Sequence, residues 1–161
     1  MFLIFAAFAI PPLLLFGLYH LLIWVNLFNI NRRVYWKRVA IASAISHVLL
    51  ATGFFVFSYV DFHMKSVAAI GVNSFDVYLF DRSEFWRLMT IFDPTPMLAL
   101  LGVLAVLDRL GINAPILVIL AVGLTYIVGT VQWYFVGGGL GLVLERFWSG
   151  LKKSDDDEDW L

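Results

Sequence analysis

Apolar residues dominate the chain in long runs, and short polar stretches punctuate them. The first run covers residues 2–28, with Pro11 and Pro12 inside it. About 20 apolar residues suffice for a helix to cross a bilayer, so this run predicts a first span. Each proline removes a helical donor and predicts a kink. An alternative is that the helix proper starts at Pro11 and the first residues lie in the membrane interface. The polar stretch that follows holds Asn26, Asn29 and Asn31, then Arg32, Arg33, Lys37 and Arg38, with Tyr35 and Trp36 among them. Aromatic residues beside basic ones mark a membrane–water boundary. A second apolar run at 39–60 predicts a second span, joined to the first as an antiparallel hairpin.

Residues 61–93 break the pattern. Asp61, Asp76, Asp81, Glu84 and Asp93 alternate with Lys65, Arg82, Arg87 and bulky apolar residues. That mixture predicts a folded loop lying on the membrane, with Ser83 capping a short helix through Arg87. Asp93-Pro94-Thr95-Pro96 is a turn signal and a helix start. The next apolar run, 97–107, is short. It spans only by borrowing flanking residues, to about 91–110; otherwise it is a re-entrant or interfacial helix. Residues 116–144 carry no formal charge. The run Gly137-Gly138-Gly139 divides them into a fourth span at 116–136 and an interfacial extension at 140–151. Residues 152–161 end in an acidic run, Asp155 to Asp159, which predicts a solvated, disordered tail.

The fold class this implies is an all-α integral membrane protein, a compact bundle of four transmembrane helices in one domain, 1–151. The alternative is three spans plus a re-entrant or interfacial helix. Composition agrees: 61% of residues are hydrophobic and 14% charged, whereas soluble domains are nearer half apolar and a quarter charged. A chain this short cannot bury such an excess in a core. The net charge of −1 lacks the basic footprint of a nucleic-acid binder. With no cysteine there is no disulfide, thiolate metal site or cysteine nucleophile. Met1 onward is apolar without a preceding basic residue, which reads as a span and not a cleaved signal. The basic linker 32–38, free of acids, belongs on the cytoplasmic side of a bacterial-type inner membrane. The raw Lys/Arg count opposes this slightly, five on that side against six on the other.

Ionisable residues inside lipid are functional candidates. His20 lies eight residues before Phe28, and His47 eight residues after Val39. At 1.5 Å per residue both sit roughly 12 Å from the inner boundary. Three roles compete for them. Each imidazole can bond a neighbour, such as Ser43 or Ser46, as polar side chains joining membrane helices do. The two can serve a proton or ion path together with Thr125 and Gln132. They can ligate haem b, although neighbouring helices about 8–10 Å apart leave no room for the macrocycle between them. No carboxylate lies within the first, second or fourth predicted span to pass a proton on, which weighs against a pump. Asp61-x-His63 supplies two possible metal ligands, too few for a site, and no metal site is expected.

Catalytic signatures are absent: there is no G-x-S-x-G, H-E-x-x-H, P-loop or G-x-G-x-x-G. Small residues form stripes instead. Ala40, Ala44, His47 and Ala51 lie on one helix; Gly129, Gln132, Trp133 and Gly137 lie on another, with Gly141 completing a G-x-x-x-G. Such stripes let helices approach closely. The sequence therefore predicts a non-enzymatic protein without a resident cofactor, whose partners are the bilayer and other membrane helices, in a homo-oligomer or hetero-complex. Its role would be that of an accessory subunit, an immunity or defence protein, or an assembly factor. The alternatives are an oligomeric channel or transporter and a haem-binding redox subunit.

Overall fold

The computed structural model describes residues 2–65, 78–79, 83–96, 98–99, 102–103, 106 and 115–158. The chain is all-helical, with no strand among the described residues. In chain order come α1 (Phe2–Val25), a 3-10 segment (Leu27–Arg32), α2 (Tyr35–Met64), α3 (Glu84–Phe92), α4 (Pro115–Leu124), a π-helical turn (Thr125–Gly129) and α5 (Thr130–Glu158). Two compact units result: residues 1–46 with 131–161, and residues 47–130.

In the first unit, α1 and α2 form the expected hairpin. Asn26, Phe28 and Asn29 all take positive φ, between 52° and 58°. Asparagine tolerates this left-handed region far better than a bulky residue, so Phe28 is the strained member. The turn is tied by its own polar groups. Asn31 donates its side-chain amide to the Ile23 carbonyl at 3.1 Å, and its backbone N–H bonds Asn26 Oδ1 at 3.2 Å. Arg38 reaches back to the carbonyls of Arg33 and Asn31, at 2.8 and 2.9 Å. Ile30 is thereby pressed into a core with Leu22 and Ala42. The helix α1 starts at Phe2 and runs through Pro11 and Pro12, so the prolines do not mark its beginning.

The glycine run does not end a helix. α5 is continuous across Gly137, Gly138 and Gly139 and extends to Glu158. The reason is close packing. A Cβ on Gly137 would strike Ser43, one on Gly141 would lie 2.6 Å from the Trp36 Cα, and Gly138 sits against Trp36 and Ala40. These glycines let α5 lie almost backbone to backbone on the start of α2, which offsets their low helix propensity.

In the second unit, α2 runs on to Met64, and the short helix expected after Ser83 forms and continues past Arg87 to Phe92. Ser83 caps α3 by accepting the Trp86 N–H at 3.1 Å. The same hydroxyl meets Ser58 of α2 at 2.6 Å. Tyr78, Leu79, Trp86 and Met89 are buried.

Among the described residues two helices, Tyr35–Met64 and Val122–Ser149, are long and apolar enough to cross a membrane. Only 39% and 22% of their apolar windows are buried in the fold, unlike the core helix of a soluble domain. Ala9–Val25 of α1 is likewise apolar helix. Of the span expected at 91–110, residues 91–92, 94–96, 98–99, 102–103 and 106 are helical; its remainder other than Asp93, with Asp76, Asp81 and Asp108, lies outside the described residues.

The glycines make opposite predictions. Nothing lies within 4 Å of a Cβ on Gly139, while one on Gly141 meets the Trp36 backbone. Gly139→Ala is expected to raise stability by about 1 kcal/mol, the helix-propensity gain. Gly141→Ala is expected to lower it by about 1–3 kcal/mol through overpacking. Unfolding in detergent measures both, and equal effects would contradict the packing.

Candidate functional site

Asp93 leaves α3 because of its neighbour. Proline at 94 disfavours helical backbone at the residue before it, and Asp93 adopts φ −136°, ψ 71° while its N–H still bonds the Met89 carbonyl. The chain turns helical again at 94–96. An aspartate just before a helix ordinarily caps it, accepting the N–H of the second or third helical residue. Here the third is Pro96, which has no N–H. The carboxylate points instead to α2.

The register that delivers it is simple. Ser83 touches Ser58 and Asp93 touches His47. Ten residues along one chain face eleven along the other, roughly 15 Å against roughly 16 Å at helical rise. α3 therefore lies antiparallel along the second part of α2. Phe55 adds ring contacts to Trp86 and Tyr126, with centroids 5.7 and 6.1 Å apart. Thr52 meets the Tyr126 hydroxyl at 2.7 Å.

At the centre, His47 Nε2 lies 2.8 Å from Asp93 Oδ2, and His47 Nδ1 lies 3.1 Å from Thr130 Oγ1. The two ionisable side chains are 2% and 1% exposed. The π-turn ends against them. Thr125 is buried, and a Cβ on Gly129 would run into Asp93 Oδ2 and come within 2.6 Å of the His47 ring. Only glycine admits the pair at this point. Asp93 Oδ1 is buried and has no hydrogen-bond partner among the described residues. π-turns inside helices concentrate at functional sites, and this one carries Thr125, Gly129 and, one residue on, Thr130.

The arrangement is a three-membered hydrogen-bond chain with exchangeable protons. With Asp93 ionised and His47 neutral, Nε2–H donates to Oδ2, and Nδ1 accepts the Thr130 hydroxyl proton. One added proton gives an imidazolium that donates from both nitrogens, to Oδ2 and to Thr130 Oγ1. Passing the Nε2 proton to Oδ2 then leaves a neutral acid beside a neutral ring. These states interconvert without moving a heavy atom.

The other expected residues fall elsewhere. His20 is exposed, packs on Phe16 and Tyr19, and lines a cavity with Tyr35 and Val39. Thr125 joins the His47 unit; Gln132 is half-buried on α5, its Oε1 without a partner among the described residues. Ala40 and Ala51 are buried and Ala44 is half-buried. Ser43 packs under Gly137, and the hydrogen bonds of His47 run to Asp93 and Thr130. Haem ligation by His47 would displace one of the two, since an imidazole binds iron through a single nitrogen. His63 is exposed against Tyr59 and Phe62. Its neighbour Asp61 bonds Lys65 at 2.7 Å and Tyr78. That carboxylate holds the Lys65 ammonium above the usual lysine range. Glu84 is exposed, 3.5 Å from Arg87.

Comparison with protein-family models, with curated proteins and with solved structures returns no match.

Removing one member of a buried pair strands the other, at a cost of about 3–5 kcal/mol. His47→Ala and Asp93→Ala are each expected to destabilise by that order, and the double variant by much less than their sum. A double-mutant cycle by unfolding in detergent checks this. Additive effects would mean that the two do not interact.

Proposed function

We propose that the chain is an integral membrane protein of four spans that moves protons, with His47, Asp93 and Thr130 as its proton-binding centre. The carrying observation is the buried carboxylate against His47. It sets a second titratable group beside the histidine of α2. Ionisable residues at such depth mark ion and proton paths.

The same observation redraws the third span. α3 follows α2 inward from Ser58 to His47, so residues 84–92 form its first half. Asp93-Pro94 is the break, and the helix resumes at 94. Discontinuous spans of this kind carry the binding sites of many transporters, since broken helix ends offer polar groups at the midplane. The first span is α1, the second α2, and the fourth Val122–Ser149. The basic 32–38 linker faces the cytoplasm. No residue acts as a nucleophile in this reading, and the protein's work is binding and transfer of protons.

One observation favours contact with other membrane helices as a second reading. Phe135, Leu140, Val143, Phe147 and Trp148 of α5 are exposed. In a bilayer that side meets lipid or a partner helix, as in a homo-oligomer or an accessory subunit. Crosslinking in native membranes separates the two, and an uncrosslinked monomer contradicts this second reading.

Proton movement is tested in liposomes loaded with a pH-sensitive dye, with charge balanced by a potassium ionophore. The wild-type protein is expected to dissipate an imposed pH gradient faster than protein-free vesicles. Asp93→Asn is expected to return the rate to that background, while Gly139→Ala leaves it unchanged. Equal rates for wild type and Asp93→Asn would overturn the proposal.

A further inference from the structure

We propose that the groove lined by α1, α2 and α5 in the first unit holds one anionic phospholipid, its acyl chain in the groove and its phosphate on the basic linker. The inference rests on the membrane reading above, but not on proton movement.

The groove has a volume of about 400 Å³, within the roughly 300–1,000 Å³ typical of ligand sites. Leu15, Phe16, Val39 and Leu144 give it apolar walls, and Tyr19 and Tyr35 add hydroxyls. Tyr35 and Val39 bracket Lys37 and Arg38 in sequence, and the Arg38 guanidinium lies beside the Tyr19 hydroxyl. The polar side of the groove thus adjoins the linker that holds Arg32, Arg33, Lys37 and Arg38 and no acid. Among the described residues no carboxylate pairs with any of the four, since the ion pairs lie elsewhere.

Arg38 spends Nε and Nη2 on backbone carbonyls of the hairpin turn. Arg32 and Arg33 are exposed, and Lys37 leans over the Trp36 ring at 5.3 Å. An apolar slot alone fits any acyl chain, and a basic collar alone fits any anion. Their adjacency fits a molecule with both, and basic segments at the end of a membrane helix select anionic headgroups. A phosphate without a chain has no use for the apolar walls.

The test uses the full chain, delipidated in mild detergent and observed by native mass spectrometry with added phosphatidylglycerol or phosphatidylcholine. One phosphatidylglycerol adduct is expected to survive where phosphatidylcholine does not, and excess inorganic phosphate is expected not to displace it. Arg32→Gln, Arg33→Gln and Lys37→Gln are each expected to weaken retention by about fivefold, the effect of one basic residue near an anionic surface. Arg38 is left intact because it ties the turn. Leu144→Trp, at an exposed position on α5, fills the groove and is expected to abolish the adduct with every basic residue in place; Leu15→Trp does so from α1. Equal retention of the two lipids, displacement by phosphate, or full retention in both tryptophan variants would overturn the site. Asp93→Asn is expected to keep the adduct, so failure of lipid binding and failure of proton movement are read separately.

Discussion

Burying a carboxylate is the demand around which the second unit is organised. A lone ionised aspartate in an apolar setting is prohibitively costly, so Asp93 must meet a donor. That donor is His47, at 2.8 Å. Other features of the unit serve to make the meeting possible. Pro94 ends α3 at the right residue, and Pro96 removes a competing N–H. Ser58 and Ser83 set the register of α3 on α2. Gly129 withholds the Cβ that would strike the carboxylate, and Thr130 fills the second nitrogen of the ring. Three segments of the chain, distant in sequence, are joined through one imidazole.

The first unit solves a different problem with less polar means. Its helices have no buried ion pair to align them among the described residues. They rely on a tied turn and on close approach. Asn31 and Arg38 take up the backbone carbonyls that the α1–α2 turn would leave unpaired, and Ile30 anchors the turn in the core. Gly137 and Gly141 then seat α5 on the start of α2. In lipid, where apolar side chains gain little by leaving one hydrocarbon for another, such backbone proximity and hydrogen bonding supply much of the specificity. Both long helices contribute to both units.

Much of this was legible in the sequence. Run lengths give the helical class, the polar stretch at 26–38 gives the hairpin, and Ser83 announces α3. The site itself was only half legible. His47 stands out as a histidine in an apolar run, but Asp93 reads as a surface acid because a charge at a turn signal usually is one. The clue was present in Pro94 and Pro96: the first turns Asp93 out of the helix, and the second removes one of the two N–H groups that its carboxylate would ordinarily cap. The matched depths of His20 and His47 say nothing of their surroundings, because depth along a helix carries no information about azimuth: His20 is exposed and His47 is buried. The glycine run misleads for a related reason. Its effect on a helix depends on what packs against it, and here Trp36 and Ser43 favour continuity.

His47 is held in a buried hydrogen bond with Asp93. Solid-state nitrogen NMR of ring-labelled histidine in lipid bilayers tests it most directly. The His47 ring is expected to show a protonated nitrogen in a strong hydrogen bond, protected from solvent exchange, and Asp93→Asn is expected to shift this signal while leaving those of His20 and His63 in place. A His47 signal that exchanges as freely as that of exposed His63, and that ignores Asp93→Asn, would contradict it.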